Sequence, residues 1–587
     1  MKDDVFQEFY DGVKREGVSV LVAPTSYGKT LTSPHLLNKA RGDGLAYGLI
    51  HVVPYRALVK EIYLEKFRNN VYGFKTGYQS MDEIEGGADK DPFFLRDIVV
   101  TTLDSYAWNA FGIPVAEFDK VVNHLSQGHG YVASMGIYTS VNVFDEAHVF
   151  LGSGSERAVF AMVQAAVAHL ARLGVPVAVE TATIPSAKLK ALADVVDRPL
   201  PTVLVCGTED CSGSSLAKNY RRVVGDRLRV VSDRDWYDRN SFDWRTKLIG
   251  EDEALQVVKG LCRDRTVLVI RNTVKSAVET YEGLKKAGCD EVVLLHGLLG
   301  ARDREKKLEK VRDIVDRGGP GAIVATQVVE AGVEVEAPAL VTDAAPIENL
   351  AQRAGRLCRS KTAQKCSREG VEVYVVKNEN YKGVYDEGLV KRSLEVVETT
   401  IKDGKTIDWR LLEDYPPGSG RVSFANLMEQ VYGALGGYSA PVKQWALSKA
   451  LSLDLPASRM MAVLRELLRG ELSSTTLVKL APGGDVENFV PMELGRLSRL
   501  LESSGFSRCV GFKNGSVLFK VKLMVGNEER GVDVEVELKQ VKTPFDLTNT
   551  VYRRVKDEHK LSGVSLRDYY VELSASCYDS ERGVVYE

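Results

Sequence analysis

The stretch Val18-Ser-Val-Leu-Val-Ala-Pro-Thr-Ser-Tyr-Gly-Lys-Thr30 decides the fold class. A short, mostly apolar run of strand length leads into a loop that ends in Gly-Lys-Thr, and a helical segment follows around residues 36–39. A strand, such a loop and a helix in succession form a P-loop, in which backbone N–H groups surround a phosphate. Ala23 stands where the usual pattern has its first glycine.

The loop residues predict a site for ATP and Mg²⁺. Lys29 is expected to reach the β- and γ-phosphate oxygens, and Thr30 to offer its hydroxyl to Mg²⁺. The predicted nucleotide-binding residues of the loop are Thr25, Ser26, Tyr27, Gly28, Lys29 and Thr30.

An acidic pair completes this site in the stretch Val141-Asn-Val-Phe-Asp-Glu-Ala-His148. Asp145 can hold Mg²⁺ through its water shell, and Glu146 can polarise the attacking water in phosphoryl transfer. For His148 two interpretations stay open, a packed or hydrogen-bonded histidine and a link to nucleotide-facing residues of a neighbouring domain. The acidic pair together with the P-loop predicts an ATPase site with Thr30 and Asp145 as metal ligands.

The rest of the chain to about residue 380 alternates β-branched runs with amphipathic stretches of helix length, which predicts parallel sheets covered on both faces. The runs lie at 18–22, 48–53, 98–102, 141–144 and 175–181, and again at 266–270, 291–296, 322–326, 339–343 and 371–376. Residues 206–250 lose this alternation and indicate an inter-domain connection. The predicted organisation is α/β, with domains at 1–210 and 211–385, a linker at 386–420, and an α+β accessory domain at 421–587 whose first part, to about residue 470, is helical.

Length and composition exclude several classes of protein. A chain of 587 residues is too long for a single small binding module, and its net charge of -3 means that a nucleic-acid site must be a local groove. The acidic start and the absence of an apolar stretch of about 18 residues predict a cytoplasmic protein without a membrane span. The eight cysteines form no CxxC pair and are expected to be reduced thiols.

Polar residues follow several of the predicted strands at one edge of the first sheet. Arg56 follows the second strand, Thr101 and Thr102 end the third, and Thr181-Ala-Thr183 ends the fifth. Such groups suit hydrogen bonds to the phosphates of a single nucleic-acid strand. Each threonine taken alone is better explained as a strand-end cap, but their recurrence at one edge favours the phosphate contacts.

The segment Gln352-Arg-Ala-Gly-Arg-Leu-Cys-Arg359 lies in the second domain, which has no P-loop of its own. Helical spacing would place Arg353, Arg356 and Arg359 in one row, which is either a surface charge face or a set of arginine fingers. An arginine finger lent to a neighbouring site raises the rate by ~10³ to 10⁵. We favour fingers at Arg356 and Arg359, with Gln352 orienting water or the γ-phosphate.

These motifs, in this order, resemble a superfamily 2 helicase. The stretches Arg271-Asn-Thr-Val274, Leu294-Leu-His-Gly297 and Val324-Ala-Thr-Gln-Val-Val-Glu-Ala-Gly-Val-Glu-Val335 are similar to the CRISPR-associated helicases that degrade target DNA in type I interference. Glu334 departs from the aspartate common at its position. The resemblance implies tandem RecA-like domains that close on ATP and move along single-stranded DNA. It implies strand contacts at Asn272, Thr326 and Gln327, strand-to-nucleotide coupling at Glu330 and Gly332, and an adenine contact at Gln7, for which a plain surface glutamine is the alternative.

The resemblance also implies partners. Most members of the family carry a nuclease domain with adjacent His and Asp, but none of the eight histidines is followed by Asp. The expected partners are therefore a separate HD-type nuclease and a Cascade-like CRISPR effector complex. The motif Glu537-Leu-Lys539 could instead belong to a nuclease site, although a hairpin with paired Lys and Asp or Glu side chains explains it better. Two other functions stay open, a helicase for DNA repair or RNA remodelling and a scaffold that binds without hydrolysis.

Overall fold

The computed structural model contains three large sheets. It describes residues 2–80, 84, 87–117, 120, 126–150, 157–207, 209–330, 335–359, 366, 368–412, 415, 418–433, 447–449, 451–452, 477–502, 505–525, 528–541, 544–559 and 564–586. Within these ranges, no helix is both long enough and apolar enough to cross a bilayer.

Eight parallel strands form the first sheet, in the order β3-β4-β2-β5-β6-β1-β7-β8. The strands are β1 Val18–Val22, β2 Gly48–Val53, β3 Thr76–Gln79, β4 Ile98–Thr102, β5 Ser140–Phe144, β6 Val177–Thr181, β7 Thr202–Cys206 and β8 Leu228–Ser232. The helices are α1 Asp3–Glu16, α2 Ser33–Gly42, α3 Arg56–Glu61, α4 Leu103–Ala110, α5 His129–Tyr138, α6 Ala147–Phe150, α7 Arg157–Arg172, α8 Ser186–Ala193, α9 Ser215–Val224 and α10 Arg234–Asn240. All strands except β8 are buried along their whole length, which explains their continuous apolar runs.

Six parallel strands form the second sheet, in the order β11-β12-β10-β13-β14-β9. The strands are β9 Trp244–Gly250, β10 Thr266–Ile270, β11 Val292–Leu295, β12 Gly321–Ala325, β13 Ala339–Asp343 and β14 Val371–Lys377. The helices are α11 Glu251–Leu261, α12 Val274–Lys286, α13 Ala301–Arg317, α14 Ile347–Ala354 and α15 Glu387–Lys402.

All ten predicted apolar runs are strands, but the stretch predicted as the inter-domain connection is more ordered than expected. It contains β8, α10 and β9, so the first sheet continues past residue 210 to Ser232 and the second begins at Trp244. Both β8 and β9 are edge strands with exposed residues, and they therefore lack the continuous apolar run that marks the central strands.

The third sheet is mixed and has the path β18-β17-β22-β20-β19, with β21 paired to β20. Its strands are β17 Leu477–Pro482, β18 Val490–Glu493, β19 Phe512–Lys513, β20 Ser516–Val525, β21 Glu528–Glu537 and β22 Val564–Leu573, and its helices are α17 Leu494–Leu501 and α18 Pro544–His559. Short pairs form between β15 Thr406–Asp408 and β16 Arg421–Ser423, and between β23 Tyr578–Asp579 and β24 Gly583–Val584. Two parallel-sheet domains and a C-terminal α+β domain confirm the predicted fold class.

One helix predicted for the C-terminal domain lies elsewhere. Helix α16, Phe424–Gly433, packs against α8 and α9 of the first domain and against α14 and α15 of the second. Its buried residues join the apolar core that both parallel-sheet domains share. The C-terminal sheet begins only at Leu477, and the further helices predicted within 453–470 lie outside the described residues.

The cysteines differ from the expectation of reduced thiols. All eight form disulfides, in the pairs Cys206–Cys211, Cys262–Cys289, Cys358–Cys366 and Cys509–Cys577. Two of these pairs join residues 27 and 68 positions apart. Such pairs follow from proximity in the fold, which the scattered spacing in the sequence does not reveal.

Candidate nucleotide and nucleic-acid site

The P-loop connects β1 to a short 3-10 turn at Thr30–Thr32 that leads into α2. Gly28 has a φ of 94°, in the left-handed region that glycine enters without steric cost. Lys29 is buried, and its Nζ donates hydrogen bonds to the carbonyls of Ala23 and Pro24, each at 3.0 Å. The lysine is thus folded back over the loop, from where its flexible stem can turn toward a phosphate. The hydroxyl of Tyr27 donates to Asp233 at 2.8 Å, so only the backbone of this residue remains for the predicted phosphate contact.

The two predicted metal ligands lie side by side. Thr30 Oγ1 donates a hydrogen bond of 2.7 Å to Oδ2 of Asp145. Burial raises the pKa of Asp145, but hydrogen bonds from His51 and Thr30 and the charge of Lys29 outweigh burial and hold the pKa below its ordinary value. A hydroxyl beside an ionised carboxylate is the oxygen donor set that Mg²⁺ prefers, so these residues fit the ion.

Glu146 combines an uncommon backbone conformation with a buried carboxylate oxygen that accepts no hydrogen bond. Its φ of 52° lies in the left-handed region, which is uncommon outside glycine and often found at functional sites. Its buried Oε2 accepts no hydrogen bond and lies 3.5 Å from Nδ1 of His148. His148 Nδ1 also lies 3.1 Å from Thr181 Oγ1. The histidine therefore links the acidic pair to the end of β6 within its own domain, and it also lines the cleft toward the second domain.

Two buried ionisable residues beneath the P-loop were missed by the sequence analysis. His51 on β2 lies 3.2 Å from Asp145 Oδ2 through Nε2 and 2.9 Å from Ser33 Oγ through Nδ1. Glu180 on β6 accepts a hydrogen bond of 2.8 Å from Thr32, and burial raises its pKa well above the ordinary value. Strands β2 and β6 flank β5, so these side chains lie on either side of Asp145. A histidine and a glutamate inside fully buried apolar strands were the available signal.

The arginine segment of the second domain reaches the P-loop of the first. A Cβ atom added to Gly355 would lie 3.0 Å from Oγ1 of Thr25, so the end of α14 packs closely on the loop. Arg356 follows, and its guanidinium donates to the carbonyl of Glu330. Burial, followed by the charge of Arg359, lowers the pKa of Arg356 to about 10, while Glu146 acts in the opposite direction. Arg356 and the predicted water-polarising residue are therefore within electrostatic reach of each other.

Arg353 does not belong to the row of arginines predicted from helical spacing. It is completely buried and forms an ion pair of 2.7 Å with Glu330 and a hydrogen bond of 2.7 Å to Thr342. Helix α14 ends at Ala354, so Arg356 and Arg359 lie beyond the helix, and Arg359 Nε donates back to the carbonyl of Gly355 at 3.1 Å. Spacing failed here because the helix stops one residue after Arg353.

The remaining residues predicted to contact nucleotide are spread over the site. Gln352 lines a small cavity with Thr25 of the P-loop and Thr183, which follows β6, and its role in orienting water or the γ-phosphate stays a prediction. Glu330 faces Arg353 instead of the P-loop, and Gly332 lies outside the described residues, as does Glu334. Gln7 is exposed, donates to Asp11 at 2.7 Å and accepts from Lys39, so an adenine contact stays a prediction.

A cleft of about 2070 Å³ lies between the three domains. The predicted strand contacts Arg56, Asn272, Thr326 and Gln327 line it. The C-terminal domain adds to the lining both basic side chains, at Lys479, Arg496, Arg499, Lys522 and Arg567, and acidic ones, at Glu487, Glu493, Glu529 and Asp568. Thr101 and Thr102 are buried instead, since Thr101 donates to the carbonyl of Gln79 and Thr102 caps α4. For these two threonines the strand-end interpretation fits the structure better.

The Glu537-Leu-Lys539 motif lies where β21 ends beside β20. Across this antiparallel pair, Lys520 faces Asp533 and donates to it at 2.8 Å. In the described part of the chain, no group of three or more His, Cys, Asp or Glu side chains could hold a metal ion. The hairpin interpretation is confirmed.

The site therefore joins a P-loop on one parallel-sheet domain, an arginine segment of a second domain packed against it, and a cleft beside both that is lined by side chains of both charges. Residues 263–362 match the protein-family model described as CRISPR-associated nuclease/helicase Cas3, C-terminal. The chain is 26% identical over 407 residues to the CRISPR-associated helicase Cas3 of Thermoproteus tenax, which covers 67% of this chain and 62% of that protein. It is 24% identical over 400 residues to the nuclease/helicase Cas3 of Streptococcus thermophilus, which covers 61% and 41%.

Solved structures agree in fold. The crystal structure of T. fusca Cas3 with AMPPNP aligns with a TM-score of 0.51 at 17% identity, over 79% of this chain and 54% of that chain. A chain of a CRISPR RNA-guided surveillance complex in a pre-nicking state aligns with a TM-score of 0.50 at 17% identity, over 77% and 52%. The chain is therefore related to the Cas3 helicases, and it spans less than two thirds of the length of the two relatives described above.

Proposed function

We propose that the protein is an ATP-dependent translocase on single-stranded DNA that unwinds target DNA in type I CRISPR interference. The close approach of Gly355 to Thr25 supports this proposal most directly. A nucleotide bound by the P-loop would lie between two domains, so hydrolysis could change the contact between them. Movement of one domain relative to the other is how a motor of this architecture would advance along a strand.

Each side chain has a defined task in this mechanism. Lys29 would leave the carbonyls of the loop and bind phosphate oxygens, while Thr30 and Asp145 would hold Mg²⁺, which would supply positive charge to the phosphates. Glu146 orients and polarises the attacking water. Arg356 and Arg359 stabilise the charge that develops during transfer, and Gln352 helps to orient the water or the γ-phosphate.

The nucleic acid would bind in the cleft, where cationic side chains contact phosphates without reading sequence. Because each phosphate contact steepens the salt dependence of binding, a few contacts in a cleft suit a motor that must release its track in every cycle. The proposed partners are a Cascade-like effector complex and an HD-type nuclease on a separate polypeptide, in the cytoplasm. The alignment with a chain of a surveillance complex supports the first partner.

Phosphate release from ATP, measured with and without single-stranded DNA, tests the proposal. We expect DNA to stimulate hydrolysis, and Lys29→Ala and Glu146→Gln each to lower the rate by ~10² to 10⁴. Lys190→Ala is a matched control, because Lys190 is an exposed lysine of the same domain paired only with Asp194. Hydrolysis that ignores DNA, or that persists in both variants, would contradict the proposal.

The same assay separates the alternatives. RNA that stimulates hydrolysis more than DNA does would favour RNA remodelling, and equal stimulation with and without a loaded effector complex would favour a repair helicase. A scaffold would bind ATP and DNA without any phosphate release. The intact set Lys29, Thr30, Asp145 and Glu146 argues for turnover.

A further inference from the structure

One buried arginine outside the helicase motifs contacts the loop that carries the proposed arginine fingers. Arg410 follows β15 and is only 2% exposed. Its guanidinium donates to the backbone carbonyls of Leu357 and Cys358, the latter at 3.2 Å. Those two residues lie directly between Arg356 and Arg359. One planar side chain therefore binds two successive carbonyls of residues 355–359, which we call the arginine loop.

The arginine loop has a backbone that needs such support. Helix α14 has ended at Ala354, so the carbonyls that follow have no helical partners. Cys358 has a φ of 54°, a left-handed conformation that costs a residue with a Cβ atom roughly 1 kcal/mol. The Cys358 N–H donates to the carbonyl of Ala337 at 3.2 Å, and its sulfur is bonded to Cys366. Arg410 completes the set of contacts that fixes this residue.

Arg410 is itself held rigidly. Oδ1 of Asp408 accepts the N–H groups of Arg410 and Leu411, at 2.9 and 3.0 Å. Trp409 donates through Nε1 to Thr246 on β9, at 2.9 Å. Arg410 also donates to Asn240 at 3.1 Å, at the end of α10 in the first domain. The guanidinium is thus anchored on both parallel-sheet domains while it holds the loop between them.

The position of Arg410 relates it to the nucleotide site without placing it in contact with phosphates. With Trp409 it lines the small cavity that Thr25 and Gln352 share. Its pKa is lowered to about 10 by burial and then by the charge of Arg359. The two guanidinium groups therefore lie close enough for their charges to repel each other.

We propose that Arg410 is a positioning residue for the ATP hydrolysis proposed above, and that it acts by holding the 357–358 backbone so that Arg356 and Arg359 point into the nucleotide site. The inference rests on the proposed function. It assigns a role in catalysis to the segment after the second sheet, which carries none of the helicase motifs.

A double-mutant cycle tests the positioning role. Arg410→Met should lower kcat for ATP by ~10- to 100-fold, since misplacing a reacting group by about 1 Å costs up to that much, with KM for ATP nearly unchanged. In an Arg356→Lys/Arg359→Lys background the same change should cost less than about 3-fold, because the fork-shaped donors that Arg410 positions are already gone. Arg410→Lys keeps the charge but cannot bind two carbonyls in one plane, and should show an intermediate loss.

Arg317→Met is the control, because Arg317 is an exposed arginine of the second domain paired with Glu291. ADP affinity and the thermal midpoint of each variant show whether the fold survives, and Arg410→Lys carries the test if Arg410→Met unfolds. An equal loss in both backgrounds, or a raised KM with unchanged kcat, would overturn the positioning role. If Arg356→Ala and Arg359→Ala both hydrolyse ATP at the wild-type rate, the arginine assignment in the proposed function fails, and the positioning role fails with it.

Discussion

The two parallel-sheet domains use buried charged side chains in different ways. In the first domain, Lys29 binds only backbone carbonyls, and Glu146 and Glu180 each keep a buried carboxylate oxygen without a hydrogen bond. In the second, Arg353 donates to Glu330, Thr342 and Asn272 and to a backbone carbonyl. Buried polar groups normally have partners, so unused capacity points to a place where a ligand is to bind. At the P-loop site the first domain keeps unused acceptors, whereas in the second domain every guanidinium nitrogen of Arg353 has a partner.

The largest expected effect is a difference in the free energy of unfolding between a variant of Arg353 and a variant of Lys29. Arg353→Met leaves the buried Glu330 carboxylate without the charge it pairs with, although Asn349 and Tyr385 still donate to it, and we expect the free energy of unfolding to fall by ~3 to 5 kcal/mol. Lys29→Met should lower the free energy of unfolding by less than about 1 kcal/mol, or should raise it. Residues that bind a ligand are often kept although they reduce the stability of the protein. Urea unfolding followed by circular dichroism measures both.

Double replacement Arg353→Met/Glu330→Gln provides the control for this contrast. It removes both charges, so it should recover part of the stability that Arg353→Met loses. Equal losses for Arg353→Met and Lys29→Met would show that the two domains do not differ in the way described.

The sequence predicted the central strands and most of the site because both leave local signals. A fully buried strand such as β1 is a continuous apolar run, and the P-loop and the acidic pair have fixed spacing next to such strands. Contacts between distant segments leave no such signal. The approach of Gly355 to Thr25, the carbonyls bound by Arg410 and the pairing of Cys509 with Cys577 depend on the assembled fold. The edge strands β8 and β9 were missed because half-exposed strands resemble connecting segments.

An intermediate effect concerns pH and the contact of the second domain with the C-terminal segment. Burial lowers the pKa of His296 to about 4. Its Nε2–H donates to the carbonyl of Arg582, and its Nδ1 accepts from the N–H of Leu298, so a second proton on the ring would break the latter bond. The unfolded chain takes up a proton near pH 6.5 and the folded chain only near pH 4. The contribution of His296 to stability is therefore fully present above pH 6.5 and is lost as the pH falls toward 4.

Unfolding in urea at pH 7 and pH 5 checks this dependence. We expect the His296 contribution to fall by up to about 2 kcal/mol between the two pH values, and His296→Gln to remove it. His35→Gln is the control, since His35 is exposed on the first domain. If His296→Gln left the pH dependence of stability unchanged, His296 would not be the neutral, hydrogen-bonded histidine described above.

The smallest expected effect tests whether burial makes the ion pair of Arg353 and Glu330 contribute more to stability than an exposed ion pair does. Lys520 and Asp533 face each other on β20 and β21 at 2.8 Å, but their side chains are 34% and 48% exposed. Exposed pairs contribute about 0.2 to 1 kcal/mol, because water and salt screen them. A double-mutant cycle with Lys520→Ala and Asp533→Ala should give a coupling energy in that range, which decreases in 1 M salt. A coupling as large as the loss expected for Arg353→Met would mean that exposure does not govern these pairs, and the contrast between the two domains would then need another cause.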